Sequence, residues 1–181
     1  IVMRAEWDVE RYLQSGRHGA FAGVVFSSPY LGLALELPLW KKAAGHLMSR
    51  LWPSFAIPTG IPLAELSRNP EAVQRTESDK LYGRNATART FTEQLQAHRD
   101  AFEQAAKLTL PSLFLVAGSD TIAKPEATKR FYELVGSADK RLEILAPMYH
   151  EIFADPDREA LWGILFPWLE AHLPRQAQAS R

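Results

Sequence analysis

The sequence contains no cysteine. That excludes disulfides, a thiol nucleophile, thiolate zinc sites and iron–sulfur clusters. It also lacks an excess of either charge: 21 Lys and Arg stand against 21 Asp and Glu, a formal net charge of zero. Without a basic field nothing holds a polyphosphate backbone, so nucleic acid is not expected as a partner. No apolar run reaches the roughly 18 residues of a membrane-spanning helix. The opening IVMRAEWDVERYL has neither the basic start nor the apolar core of a signal peptide, and it does not begin with Met. A cytoplasmic location is expected, with the start removed by processing or the chain forming part of something longer. Neither G-x-G-x-x-G nor G-x-x-x-x-G-K-[ST] occurs, and no two histidines stand at ligand spacing with a carboxylate. No cofactor and no metal are therefore expected.

What is present is an ordinary globular composition, 46% hydrophobic and 23% charged over 181 residues. Residues 4–14 suggest a short helix ended by Gly16. Residues 20–27, AFAGVVFS, form a short apolar run between Gly19 and Pro29, the pattern of a strand buried on both faces. Residues 29–70 differ: six prolines punctuate them, and PLWKKAAGHLMSRLW reads as an amphipathic helix with Leu39, Trp40, Ala43, Leu47, Met48 and Leu51 toward one side. No strand is expected there, and the stretch reads as an insertion or as ordinary helical packing. Residues 71–81 are polar. A long helix follows over 87–107, capped by Thr87 or Thr90. A second strand is expected over 112–118, a helix over 126–135, a third strand over 140–145 and a last helix over 157–172. Asp157 stands at the capping position of that helix and Pro167 inside it. The alternation implies an α/β domain with a mainly parallel sheet.

In such sheets reactive groups sit past the C-terminal ends of the strands. Asp120 follows one predicted strand, in GSDTIAKP, and His150 follows the next, in APMYHEIF. A carboxylate that accepts an imidazole N–H fixes the tautomer and stabilises the imidazolium formed in proton transfer. An aspartate after a strand is also a common turn former, and a lone histidine is often structural. His18, His46, His98 and His172 have no such setting.

The runs FAGVVFSSPYLGLA, RTESDKLYG, LFLVAGSDTIAKPEATKRFYE and KRLEILAPMYHEIFADPDRE resemble monoacylglycerol lipases and lysophospholipases. These are α/β-hydrolases of the serine aminopeptidase-like group. The resemblance implies that residues 21–27, 113–117 and 141–145 are the sixth, seventh and eighth strands of an eight-stranded sheet. It implies a core built from residues 1–28 and 86–181, with a helical cap over 29–85. Asp120 becomes the triad acid and His150 the triad base. The cap residues Leu35, Leu39, Trp40, Leu47, Leu51, Trp52 and Phe55 would line an apolar acyl groove suited to a lipid or small ester, with peripheral membrane contact through the cap. The family's nucleophile lies in a G-x-S-x-G elbow, which by spacing should fall near Met3. No such motif occurs, and no serine precedes Ser15. Ser27 and Ser28 follow a strand but lack the elbow and the adjoining helix N-terminus.

Two functions follow as expectations. One is an ester hydrolase whose serine lies outside this sequence. The other is a non-catalytic hydrolase piece that self-associates or binds a partner. With the fifth strand missing, AFAGVVF would be an unprotected edge, so a homo-oligomer or complementation by an N-terminal half is expected.

Overall fold

A computed structural model describes residues 2–5, 21–32 and 38–173 of the chain. Its elements run β1 (Val2–Ala5), β2 (Val24–Tyr30), α1 (Leu39–Leu51), β3 (Ala56–Pro58), α2 (Pro70–Ser78), β4 (Asn85–Thr87), α3 (Ala88–Gln104), β5 (Ser112–Ala117), α4 (Pro125–Leu134), β6 (Lys140–Leu145) and α5 (Arg158–His172). Four strands form one parallel sheet in the order β1-β2-β5-β6.

β2 and β5 are buried on both faces, and the two-residue period of a strand deals their side chains alternately to two cores. Phe26, Phe114 and Val116 go to one side, where Ala101 and Ala105 and then Phe131 and Val135 close over them. The Phe26 and Phe114 rings stack at 4.3 Å, and Phe131 meets the Phe26 ring edge-on. Val25, Leu113, Leu115 and Ala117 go to the other side, against Leu161, Leu165 and Trp168 of α5. The chain turns closely at Gly136, where a Cβ would lie 2.1 Å from the Ala106 carbonyl oxygen. Only glycine fits that approach.

The N-terminus departs from the sequence reading. Val2–Ala5 is a strand, not the start of a helix over 4–14; the rest of that segment lies outside the described residues. β1 pairs in parallel with β2, Val2 opposite Val25 and Met3 opposite Phe26. AFAGVVF is therefore not an edge, and the argument for self-association built on it falls away. An apolar strand with open N–H and C=O groups takes the nearest extended apolar segment, and Val2–Met3 is one.

The stretch after β2 needs two further corrections. β3 pairs antiparallel with β4 in a two-stranded sheet, where no strand was expected. Its three residues are all exposed, so burial left no periodic signal to read. The polar stretch at 71–81 contains α2, capped by the Asn69 side chain accepting from the Glu71 N–H, with Pro70 at its first position. The cap of α3 is Thr87, which accepts from the Thr90 N–H. At α5, Asp157 holds the capping position but makes no capping bond with its side chain; Asp155 accepts the Asp157 N–H instead. Among the described residues no helix is long and apolar enough to cross a membrane.

Candidate active site

β5 ends at Ala117, and the chain turns at once through Gly118 and Ser119 to Asp120. One carboxylate oxygen of Asp120 accepts from the backbone N–H groups of Ile122 and Ala123, both at 2.9 Å. The other lies 2.8 Å from His150 Nδ1, on the loop after β6. The aspartate thus divides its two oxygens: Oδ1 forms the turn and Oδ2 meets the imidazole. The Asp120 side chain is 2% exposed and that of His150 22%. A buried carboxylate held by two amides is already oriented before any substrate arrives. With Nδ1 engaged, Nε2 is the nitrogen able to take or give a proton.

The His150 loop is fastened by residues the sequence reading did not single out. Arg68 forks onto Asp155, Nε to Oδ2 at 2.9 Å and Nη2 to Oδ1, and also reaches Asp157. Burial alone would raise the Asp155 carboxyl. The Arg68 hydrogen bonds and the amides of Asp157 and Tyr149 outweigh it and hold the carboxyl below its ordinary range. The same pair pushes the Arg68 guanidinium upward. Arg68 and Asp155 lie 87 positions apart, so no local motif could have joined them.

The other histidines serve elsewhere. His98 Nε2 lies 3.0 Å from the Tyr30 carbonyl, and burial lowers its pKa against the pull of that carbonyl. His172 contacts the Trp168 carbonyl and the Asp139 carboxylate at the opposite end of the sheet. Burial pushes its pKa down, but Asp139 and the Trp168 carbonyl raise it above the ordinary value. His46 is exposed on α1, and His18 lies outside the described residues. No cluster of three metal-ligating side chains occurs among the described residues.

Comparison with known proteins settles the lineage. The model of the serine aminopeptidase S33 family of hydrolases matches residues 9–157. The chain belongs to that family. It is 27% identical over 149 residues to the phospholipase YtpA of Bacillus subtilis, covering 82% of this chain and 58% of that protein. It is 26% identical over 164 residues to a putative monoglyceride lipase of Schizosaccharomyces pombe, covering 84% of this chain and 43% of that protein. The chain thus spans less than two thirds of either relative. Among solved structures, the monoacylglycerol lipase of Paleococcus ferrophilus superposes with a TM-score of 0.84 at 29% identity, over 95% of this chain and 67% of that one. A soluble variant of the Saccharomyces cerevisiae monoglyceride lipase shares the fold at a TM-score of 0.78 and 18% identity, over 95% of this chain and 64% of that one.

In this S33-family chain the predicted acyl-lining residues that are described stand exposed. Leu39 is 82% exposed and Leu51 73%, and Trp40, Leu47, Trp52 and Phe55 are also exposed. Leu35 lies outside the described residues. α1 turns its small residues inward instead. Gly45 sits so close to Phe91 of α3 that a Cβ would lie 2.8 Å from that ring, and Ser49 hydrogen-bonds Thr92 at 2.8 Å. A groove of about 530 Å³ beside the His150 loop, bounded by Arg75, Glu151, Phe153 and Arg158 among others, contains none of the acyl-lining set. Ser28 is buried in a left-handed conformation with φ of 38°, and its hydroxyl accepts from the Ala117 N–H. Its backbone is strained, but it lies within β2 with its oxygen turned into the sheet.

Proposed function

We propose that this chain supplies the acid–base half of a lipase- or esterase-type carboxylic ester hydrolase. The observation that carries the reading is the 2.8 Å contact between Asp120 and His150 past adjacent parallel strands. In this mechanism Asp120 holds the Nδ1–H tautomer of His150. Nε2 takes the proton of an attacking serine hydroxyl and passes it to the leaving alcohol, and then repeats the cycle with water. The serine is one that these 181 residues do not offer in a G-x-S-x-G setting. Residues 29–85 act as the cap, and the apolar side chains of α1 favour a lipid-like ester such as a monoacylglycerol or lysophospholipid. Membrane contact through the cap belongs to the same reading. The missing motif favours a second reading, a non-catalytic hydrolase piece.

The test joins the N-terminal segment of the Bacillus phospholipase to this chain. The chimera is expected to hydrolyse p-nitrophenyl esters and to react with a fluorophosphonate, while the chain alone does neither. Asp120→Asn and His150→Ala should each cost roughly three to four orders of magnitude in turnover. A folded, labelled chimera whose turnover ignores His150→Ala would refute the assignment, and a folded chimera with no turnover would favour the second reading.

A further inference from the structure

We propose that Arg68 is the positioning residue for His150, acting through Asp155 to hold the histidine loop in register with Asp120. The inference rests on reading Asp120–His150 as the acid–base pair.

The backbone at His150 is tied at two points. The Glu151 N–H donates to the Leu66 carbonyl at 2.8 Å. The Ile152 N–H donates to the His150 carbonyl at 3.1 Å and the Asp155 N–H to the Ile152 carbonyl at 3.3 Å, a short turn that joins the histidine to Asp155. Asp155 is fully buried, and the Arg68 guanidinium covers both of its oxygens. Leu66 and Arg68 are two positions apart, so one short segment grips both ends of the turn that follows the histidine. Ser67 between them donates to the Ala154 carbonyl at 3.4 Å. The preceding residue, Glu65, accepts from the Thr121 hydroxyl at 2.7 Å and so touches the Asp120 turn as well.

His150 sits outside regular secondary structure, so no helix or strand ladder fixes its backbone. Its placement depends on these contacts. A buried carboxylate without its countercharge must protonate or swing toward water. Either response loosens the turn from His150 to Asp155, and His150 moves with it. Lysine cannot replace the fork, because an ammonium is a point charge and does not span two carboxylate oxygens in plane.

The experiment uses the isotope-labelled chain and nuclear magnetic resonance near neutral pH. It reads the hydrogen-bonded Nδ1 proton of His150 and the exchange of the Glu151 and Ile152 amides. His172, which contacts Asp139 at the far end of the sheet, is the internal control. In Arg68→Gln both amides are expected to exchange about tenfold faster or more, as local opening no longer needs the fork to break. The His150 proton should broaden or vanish while the His172 signal and the β5 amides stay unchanged. Arg68→Lys should show the same pattern at smaller amplitude, and it serves if the Gln variant does not fold. Unchanged exchange with an intact His150 proton in either variant overturns the proposal. So does a uniform rise in exchange with that proton retained, which is the signature of a merely stabilising ion pair. If the His150 proton of the unaltered chain ignores Asp120→Asn, the acid–base reading fails instead.

Discussion

Asp120 divides its two oxygens between a turn and an imidazole, so two substitutions at one position should separate the two tasks. Asp120→Ala removes both. The Ile122 and Ala123 amides it leaves behind are on residues only 9% and 2% exposed, so water does not readily replace the acceptor. A hydrogen bond to a charged acceptor contributes about 1.5–3 kcal/mol; these two share one oxygen, so the loss is about 2–4 kcal/mol. Asp120→Asn keeps Oδ1 for the amides but makes the bonds neutral and roughly half as strong, a cost of about 1 kcal/mol. The His150 contact adds little to either figure, because the ring is partly exposed and solvated. For a chain of this size each kcal/mol lowers Tm by about 2–4 °C, so Ala should fall well below Asn in a thermal scan followed by circular dichroism. The asparagine also presents Nδ2–H to His150 Nδ1, which drives the ring proton to Nε2 and removes the site's base. Histidine ¹⁵N shifts report that exchange of tautomers. Equal melting temperatures for the two variants, or an unchanged tautomer in Asp120→Asn, would refute the division of labour.

Gly136→Ala should destabilise the chain by about 2–4 kcal/mol, because the new Cβ meets the Ala106 carbonyl oxygen at 2.1 Å and the backbone must yield; urea unfolding measures it. Phe114→Ala empties the centre of the aromatic stack and should cost about 3–5 kcal/mol by the same assay. The folded pKa of His172 lies above its unfolded value, so its stabilising contribution is complete below about pH 6.5 and is lost as pH rises through the folded pKa. Asp139→Asn should flatten that part of the stability–pH curve, and an unaltered curve would count against the pair. If the cap contacts membranes, co-sedimentation with anionic vesicles should fall when Trp40 and Trp52, 68% and 58% exposed, are both changed to Ser.

The parallel sheet was legible where burial on both faces leaves unbroken apolar runs, as at β2 and β5. The end of β5 also drew attention to Asp120 and the end of β6 to His150, because the α/β topology puts loops of neighbouring strands together. β1 was not legible: four residues followed by a helix-like pattern carry too little periodicity. β3 was hidden because an exposed strand has no apolar face to display. The packed side of α1 was not legible for a related reason. Its large apolar residues stand out as a stripe, yet the packed side is Gly45 and Ser49, where α3 comes close enough to exclude bulk. Apolar periodicity marks a stripe, and close helix approach can select the opposite, small-residue stripe for burial. Arg68 and Asp155 were invisible because their partnership is purely tertiary.

The Asp120–His150 contact is supported by the loops around it. The two amides on Asp120 Oδ1 belong to residues 122 and 123, and the His150 loop is gripped by Leu66, Arg68 and Asp155. Among the described residues, the contacts that aim Asp120 at His150 are thus made by residues 65–157. This follows from the chemistry as much as from chain order. An Asp–His pair needs only a fixed carboxylate and a fixed ring, and turns past two adjacent strands can supply both. A nucleophile elbow needs a strained turn and donors from a third segment, and those contacts cannot be made by the same loops. On the proposed reading the site therefore divides into two parts with separate supports. In the proposed chimera, this predicts that His150 and Asp120 are already in place before the nucleophile arrives. Their amide protection and ring tautomer should be the same in the chain alone and in the active fusion.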